Sequence, residues 1–175
     1  MSLRTRKWTI FLVVVLGMIA IDQISKEWVL RNMALGETIL PIPALHPYFQ
    51  FTRSFNTGAA FGILPTAGEL FLVFSLLITL VILYFFVRAP QDAHLQHFAL
   101  SLVVGGALGN AIDRLQHGHV VDFVHLSIPG LISNVSNFAD HAIVLGVALL
   151  LIDSFVRERR ERKQAALATS TEETP

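Results

Sequence analysis

The chain has 175 residues, of which 53% are hydrophobic and 15% charged, with a mean hydropathy of +0.59; soluble domains carry about a quarter charged residues, so a soluble domain is not expected. Thirteen Lys and Arg balance thirteen Asp and Glu, which leaves no basic field to attract nucleic acid, and none is expected as a partner. The absence of cysteine excludes disulfides, thiolate metal ligands, a cysteine nucleophile and lipid attachment through sulfur, leaving oxygen and nitrogen groups for any chemistry.

Crossing ~30 Å of hydrocarbon takes about 20 helical residues, and four apolar segments of that order are predicted as spans, at about 8–30, 69–87, 95–112 and 140–156. The first opens with the apolar block Ile10 to Ile21 and then carries Asp22, Lys26 and Glu27. Arg4, Arg6 and Lys7 ahead of an apolar run have the form of a signal peptide, but no A-x-A-like cleavage site follows Ile21, so an uncleaved helix is expected. Residues 31–68 form the first long loop, in which Pro41, Pro43 and Pro47 precede Tyr48 to Phe55, an aromatic and β-branched stretch that predicts a strand in a small sheet on the membrane surface. Asn56-Thr-Gly-Ala-Ala-Phe61 reads as a turn, and Gly58 and Gly62 leave room for an extended peptide to approach the backbone.

The second span is uncharged from Leu70 to Val87, with only Ser75 and Thr79 as polar members. Gly105, Gly106 and Gly109 in the third give a small-residue face that lets helices pack closely. At its end Asn110, Asp113 and Arg114 share one side, which fits either a local cap and salt bridge or a substrate contact. The second long loop, 113–139, holds Val120-Val-Asp-Phe-Val124, an acid in an apolar β-like run, and Asn137-Phe-Ala-Asp140 places another acid at the start of the fourth span. Residues 1–163 make one integral-membrane domain, and the Ala-, Thr- and Glu-rich stretch 164–175 is expected to be disordered.

Basic residues gather on the cytoplasmic side. Putting both termini and the 88–94 loop there collects nine of the thirteen, namely Arg4, Arg6, Lys7, Arg88, Arg157, Arg159, Arg160, Arg162 and Lys163. Loops 31–68 and 113–139 then lie on the outer side.

An ionisable side chain at mid-bilayer costs at least ~2.5 kcal/mol, which makes an acid near a span a functional candidate. Asp22, Asp113, Asp122 and Asp140 qualify. Asp22 and Lys26, four apart with the acid first, suit a self-neutralising pair that positions the helix. Asp122 and Asp140 are eighteen residues apart on one side of the membrane and can meet across two antiparallel helices. Two carboxylates at a dehydrated surface would share a proton, one serving as general base on a water and the other as general acid; the alternative is two unrelated helix-end aspartates, one of them a cap. No G-x-S is present for a serine nucleophile. His117, His119 and His125 near Asp122 raise a metal site, but in an extended segment the three histidines share one face and the acid lies on the other, so no metal is expected. His94 and His97 suit a solvated or interfacial role, and His46 stands alone.

Asp22-Gln-x-Ser-Lys26, Asn56-Thr-Gly-Ala-Ala-Phe61, Gly105-Gly-Ala-Leu-Gly-Asn-Ala-Ile-Asp-Arg114, Gly118-His-Val-Val-Asp-Phe123 and Asn137-Phe-Ala-Asp140 together resemble the ordered motif set of the signal peptidase II (lipoprotein signal peptidase) family, over about residues 8–156. The resemblance implies an all-α membrane protein, a four-helix bundle with a small extracytoplasmic β-cradle in the first outer loop. It implies an aspartic endopeptidase of the bacterial plasma (inner) membrane, needing no metal or cofactor and blocked by globomycin. Such an enzyme removes signal peptides from diacylglyceryl-modified prolipoproteins, cutting on the N-terminal side of the lipidated cysteine, with membrane lipids as its surroundings. Carried over, Asp122 and Asp140 are the catalytic pair; Asn56, Gly58, Gly106, Asn110, Arg114, Asn137 and Ala139 line or support the site; Asp22, Lys26 and Asp113 hold the helices around it. His141 departs from the family's usual Ser, and a cation there would favour ionised Asp140. From the residues alone, the competing functions are a small proton-coupled carrier, which would need acids along a path across the membrane, and a structural assembly factor, which would need no acid pair.

Overall fold

The computed structural model describes residues 2–57 and 68–172. Four long helices carry the chain: α1 (Leu3–Asn32), α2 (Gly68–Arg88), α3 (His94–His117) and α4 (Phe138–Glu172). All four are long and apolar enough to cross a membrane. Between them run β1 (Thr38–Ile39), a 3₁₀ turn at Pro43–Leu45, β2 (Phe49–Asn56), β3 (Val120–Ile128) and β4 (Ile132–Ser136).

Helix α3 sits at the centre: 72% of its most apolar stretch is buried inside the protein, against 22%, 11% and 17% for α1, α2 and α4. This explains why its mean hydropathy, 1.3, is the lowest of the four. A helix covered by protein need not satisfy lipid, so it can carry the glycines and polar groups that close packing requires. A Cβ on Gly109 would stand 2.6 Å from Asp22 Oδ2 of α1, and one on Gly106 would collide with the carbonyl oxygen of Ala139 on α4. Only hydrogen at these two positions lets the three helices close on one another. Helix α3 ends at Gly118, whose φ of 75° forms a left-handed cap with its N–H on Arg114 O.

The strands form one antiparallel sheet in the order β1-β2-β3-β4, which corrects two expectations. The fold is not all-α, and the sheet is not confined to the first loop: half its strands come from 113–139. The reason is backbone pairing. Strand β1 is two residues long and covers little of β2, whereas the apolar run of β3 pairs with β2 from Phe49↔Leu126 to Asn56↔Val120, with an irregularity between Phe51 and Ser54. Unpaired strand edges are a liability that the second loop removes. Helix α4 also continues through 164–172, where composition predicts disorder; the run Gln164 to Ala168 consists of good helix formers and extends the helix that precedes it.

Two cores result. Near the 88–94 turn, Phe11, Val15, Phe86, Leu100 and Val104 pack together. At the opposite end the sheet rests on α1 through Val29, Met33, Val121, Phe123 and Val124. Lys7, a basic flank in the sequence, is buried instead: its Nζ donates to Val87 O at 3.0 Å and Ala89 O at 2.9 Å and lies 4.9 Å from the Phe86 ring, closing the end of α2.

Candidate active site

At the sheet end the helices are joined by polar side chains. Asp122 comes from the middle of the buried stretch of β3, and Asp140 from the first turn of α4. The two acids therefore meet across a strand and a helix end, not across two antiparallel helices: the β-like run stays extended because it has β2 and β4 to pair with. Asn137 ties them together. Its Nδ2 donates to Asp122 Oδ1 at 2.6 Å, its backbone N–H donates to Asp140 Oδ2 at 3.2 Å, and its Oδ1 accepts the Asp140 N–H at 3.0 Å. Asn56 Nδ2 donates to Asp122 Oδ2 at 3.2 Å, and Asn110 Nδ2 to Asp140 Oδ1 at 2.7 Å. Among the described residues, every carboxylate oxygen of the pair thus accepts one hydrogen bond.

Asp122 is 3% exposed and Asp140 half-buried. Burial, and then the nearby Asp140 charge, push the Asp122 carboxyl up to about 7, against the opposing pull of the Asn137 and Asn56 amides. A pair of this kind holds one proton near neutrality.

Beneath the acids lies a second polar layer. Lys26 Nζ reaches Asp22 Oδ2 at 2.7 Å, Asp113 Oδ2 at 2.9 Å and Asn110 Oδ1 at 3.0 Å. Asp22 is therefore not in a private pair, and Asp113 bonds to Lys26 of α1 where a local pair with Arg114 was one reading of the sequence. Both acids also hold backbone: Asp22 Oδ1 accepts the N–H of buried Ala139 at 3.1 Å, one of the free amides at the start of α4, and Asp113 Oδ2 accepts Val121 N–H at 3.0 Å. Residues flanking each member of the pair are thus pinned by the layer below.

Arg114 lies beside this site. Its Nη1 donates to Asn110 O at 3.2 Å, its guanidinium stands 5.8 Å from the Phe71 ring, and its buried Nε has no hydrogen-bond partner among the described residues. Gly58, with Ala59, Ala60 and Phe61 of the same motif, lies outside the described residues. His125 is bonded to Gln50 at 2.8 Å, Thr52 at 3.0 Å and Ser133 at 2.9 Å, and His117 stacks near His119 at 5.9 Å; among the described residues no three His, Cys, Asp or Glu gather as metal ligands. His141 is exposed and its Nε2 meets Ser136 Oγ at 3.2 Å.

Gln23 stands in the first motif, but the sequence reading gave it no role. Its Nε2 reaches Asp113 Oδ1 at 2.8 Å, Asp22 Oδ2 at 3.2 Å and Gly109 O at 3.2 Å, linking α1 to α3. The available signal was an amide next to an acid within an otherwise apolar helix.

A family model described as Signal peptidase (SPase) II matches residues 14–156, and the chain belongs to this family of membrane peptidases. Among its relatives, the lipoprotein signal peptidase of Shewanella sediminis is 41% identical over 156 residues, covering 87% of this chain and 86% of its own. That of Shewanella woodyi is 45% identical over 145 residues, 81% of this chain and 80% of its own, and that of Desulfitobacterium hafniense 39% identical over 144, 82% and 91%. A solved structure described as a bacterial membrane enzyme superposes with a TM-score of 0.75 at 32% identity, covering 83% of this chain and 87% of that one.

Proposed function

We propose that this protein removes signal peptides from diacylglyceryl-modified prolipoproteins, hydrolysing the bond on the N-terminal side of the lipidated cysteine with water activated by Asp122 and Asp140. The observation that carries the reading is the Asn137 bridge, which brings two acids from different elements into one site, Asp122 buried and Asp140 half-buried.

With one proton shared between them, the ionised acid takes a proton from the attacking water as its oxygen bonds to the scissile carbonyl carbon. The protonated acid hydrogen-bonds the carbonyl oxygen and supplies the proton that leaves with the amine as the C–N bond breaks. No covalent enzyme intermediate is involved. Asn56, Asn110 and Asn137 hold the carboxylates; Gly58, Gly106 and Ala139 leave room for an extended peptide and for close helix approach; and the unpartnered Nε of Arg114 offers a donor to a substrate carbonyl. Asp22, Lys26 and Asp113 hold the helices around the pair. Basic flanks support a topology with both termini in the cytoplasm and the site at the outer face of a bacterial plasma (inner) membrane. There a lipid-anchored substrate reaches it by diffusion in the bilayer plane, and globomycin would block it.

The test is cleavage of a diacylglyceryl-modified precursor by the purified protein and by Asp122→Asn and Asp140→Asn separately. Each variant is expected to lose activity by about 10³-fold or more while staying folded. Near-full activity in either rejects the pair, and loss of wild-type activity on chelation would bring a metal back.

A further inference from the structure

Lys26 sits one layer below the acids, yet its hydrogen bonds constrain how one of them can act. An ammonium has three hydrogens and no acceptor, and here all three are directed, at Asp22 Oδ2, Asp113 Oδ2 and Asn110 Oδ1. The third contact decides the orientation of the Asn110 amide. Turned over, Asn110 would set its NH₂ against the ammonium and its oxygen against the Asp140 carboxylate, losing both bonds inside a buried site where lost bonds are most costly. With its oxygen held by Lys26, Asn110 can meet Asp140 only as a donor, at 2.7 Å.

We propose that Lys26 is a positioning residue that, by locking the Asn110 amide, fixes Asp140 as the proton-accepting member of the pair, with the shared proton carried by Asp122. This inference rests on the peptidase reading above and assigns the two roles it leaves open. The surroundings favour the same division. Asp140 lies at the start of α4, where free backbone N–H groups favour an anion, and Asp122 is the more deeply buried of the two, its carboxyl pushed up by that burial. The other charged or titratable groups near Asp140 are Arg114 and Asp113 on α3, Asp122 on β3, Asp22 on α1 and the adjacent His141. None of them holds Asn110 Oδ1, so the orientation of that amide is set by Lys26.

Two variants test the assignment on a diacylglyceryl-modified precursor, with thermal unfolding as a check on folding. Lys26→Met frees the Asn110 amide; Asn110→Asp keeps an acceptor for Lys26 but removes the donor to Asp140. In each folded variant kcat is expected to fall by about 10²-fold with KM within about twofold, and the acid side of the kcat profile to move to higher pH. A purely structural Lys26 would lower the unfolding temperature and leave the kcat profile of the folded fraction where it was, which overturns the proposal. If Lys26→Met does not fold, Asn110→Asp decides by the same two readouts. A wild-type protein that fails to cleave the precursor rejects the peptidase reading itself; a wild type that cleaves, with unmoved variants, rejects only the role of Lys26.

Discussion

Near the 88–94 turn, helices α1, α2 and α3 meet through Phe11, Val15, Phe86, Leu100 and Val104, with the ring centroids of Phe11 and Phe86 4.5 Å apart. At the sheet end, α1, α3 and α4 meet through Asp22, Gln23, Lys26, Asn110, Asp113 and Asn137, all of them buried or half-buried. The first arrangement is the ordinary one for a membrane bundle, in which van der Waals packing does the joining because lipid is as apolar as the side chains. The second costs desolvation of three charged groups and is tolerable only because they are partnered. A bundle needing stability alone would repeat the first arrangement. The polar layer makes sense as a mount for chemistry: it fixes Ala139 and Val121, the neighbours of the two acids, as well as the amide facing Asp140.

If that comparison holds, damage to the two ends should read out differently. Among changes to the packing, the largest effect is expected from Gly106→Ala. The added methyl would collide with Ala139 O and stand 2.9 Å from Ile143 Cγ1, so α4 must move at the point that carries Asp140. Overpacking of this kind costs about 1–3 kcal/mol, and a displacement of about 1 Å at the chemistry can cost about 10²-fold in rate. Activity should therefore fall further than stability, as measured by kcat/KM against thermal unfolding in detergent. Phe86→Ala should do the reverse. Phe86 is fully buried at the far end, and since lipid replaces water as the alternative surroundings, mainly the cavity cost remains, about 2 kcal/mol. The unfolding temperature should drop while kcat/KM stays within about twofold. A Phe86→Ala enzyme with crippled kcat would show that the two ends are coupled and break the comparison.

How much of this was legible in the sequence differs between the same two ends. Helices are written locally: apolar runs of sufficient length produced all four, with α2 matched within a residue at each end, whereas α1 already starts at Leu3, α3 continues to His117 and so takes in Asp113 and Arg114, and α4 runs on to Glu172. The sheet was half visible. Tyr48 to Phe55 has strand character on its own terms, but which strand it pairs with depends on a segment some seventy residues later, and no local pattern states that register. The acids stood out because charge near a span is expensive, and the glycines because close packing needs them. The direction of a hydrogen bond has no such sequence signature. That Lys26 serves two acids and an amide, that Gln23 joins α1 to α3, or that Lys7 turns inward to cap α2 follows from how three helices are brought together, which a single sequence does not display.

His141 tests the finest grain of the comparison, because sequence and structure expect different sizes of effect from it. As the neighbour of Asp140, a cationic His141 would favour ionised Asp140, and His141→Ser should then shift the pH optimum. In the folded protein the imidazole is exposed, where charge effects are screened, and its hydrogen bond goes to Ser136. Ser136 has one hydroxyl hydrogen, which it donates to Val124 O at 3.3 Å, so His141 Nε2 is the donor to Ser136 Oγ and acidification leaves that bond intact. Burial, and then the Asp140 charge, push the Asp122 carboxyl up to about 7. On the proposed mechanism the pair keeps its shared proton below that pH and loses it, and with it the general acid, as pH rises through about 7, so activity should decline on the alkaline side. His141→Ser should leave that decline in place and shift the profile by no more than about 0.5 pH unit, at a stability cost of about 1 kcal/mol or less for the lost bond. A shift of about one unit or more in a kcat titration would mean that His141 acts on Asp140 directly, and that the chemistry of the sheet end extends to the exposed surface of α4 as well as to the buried layer beneath it.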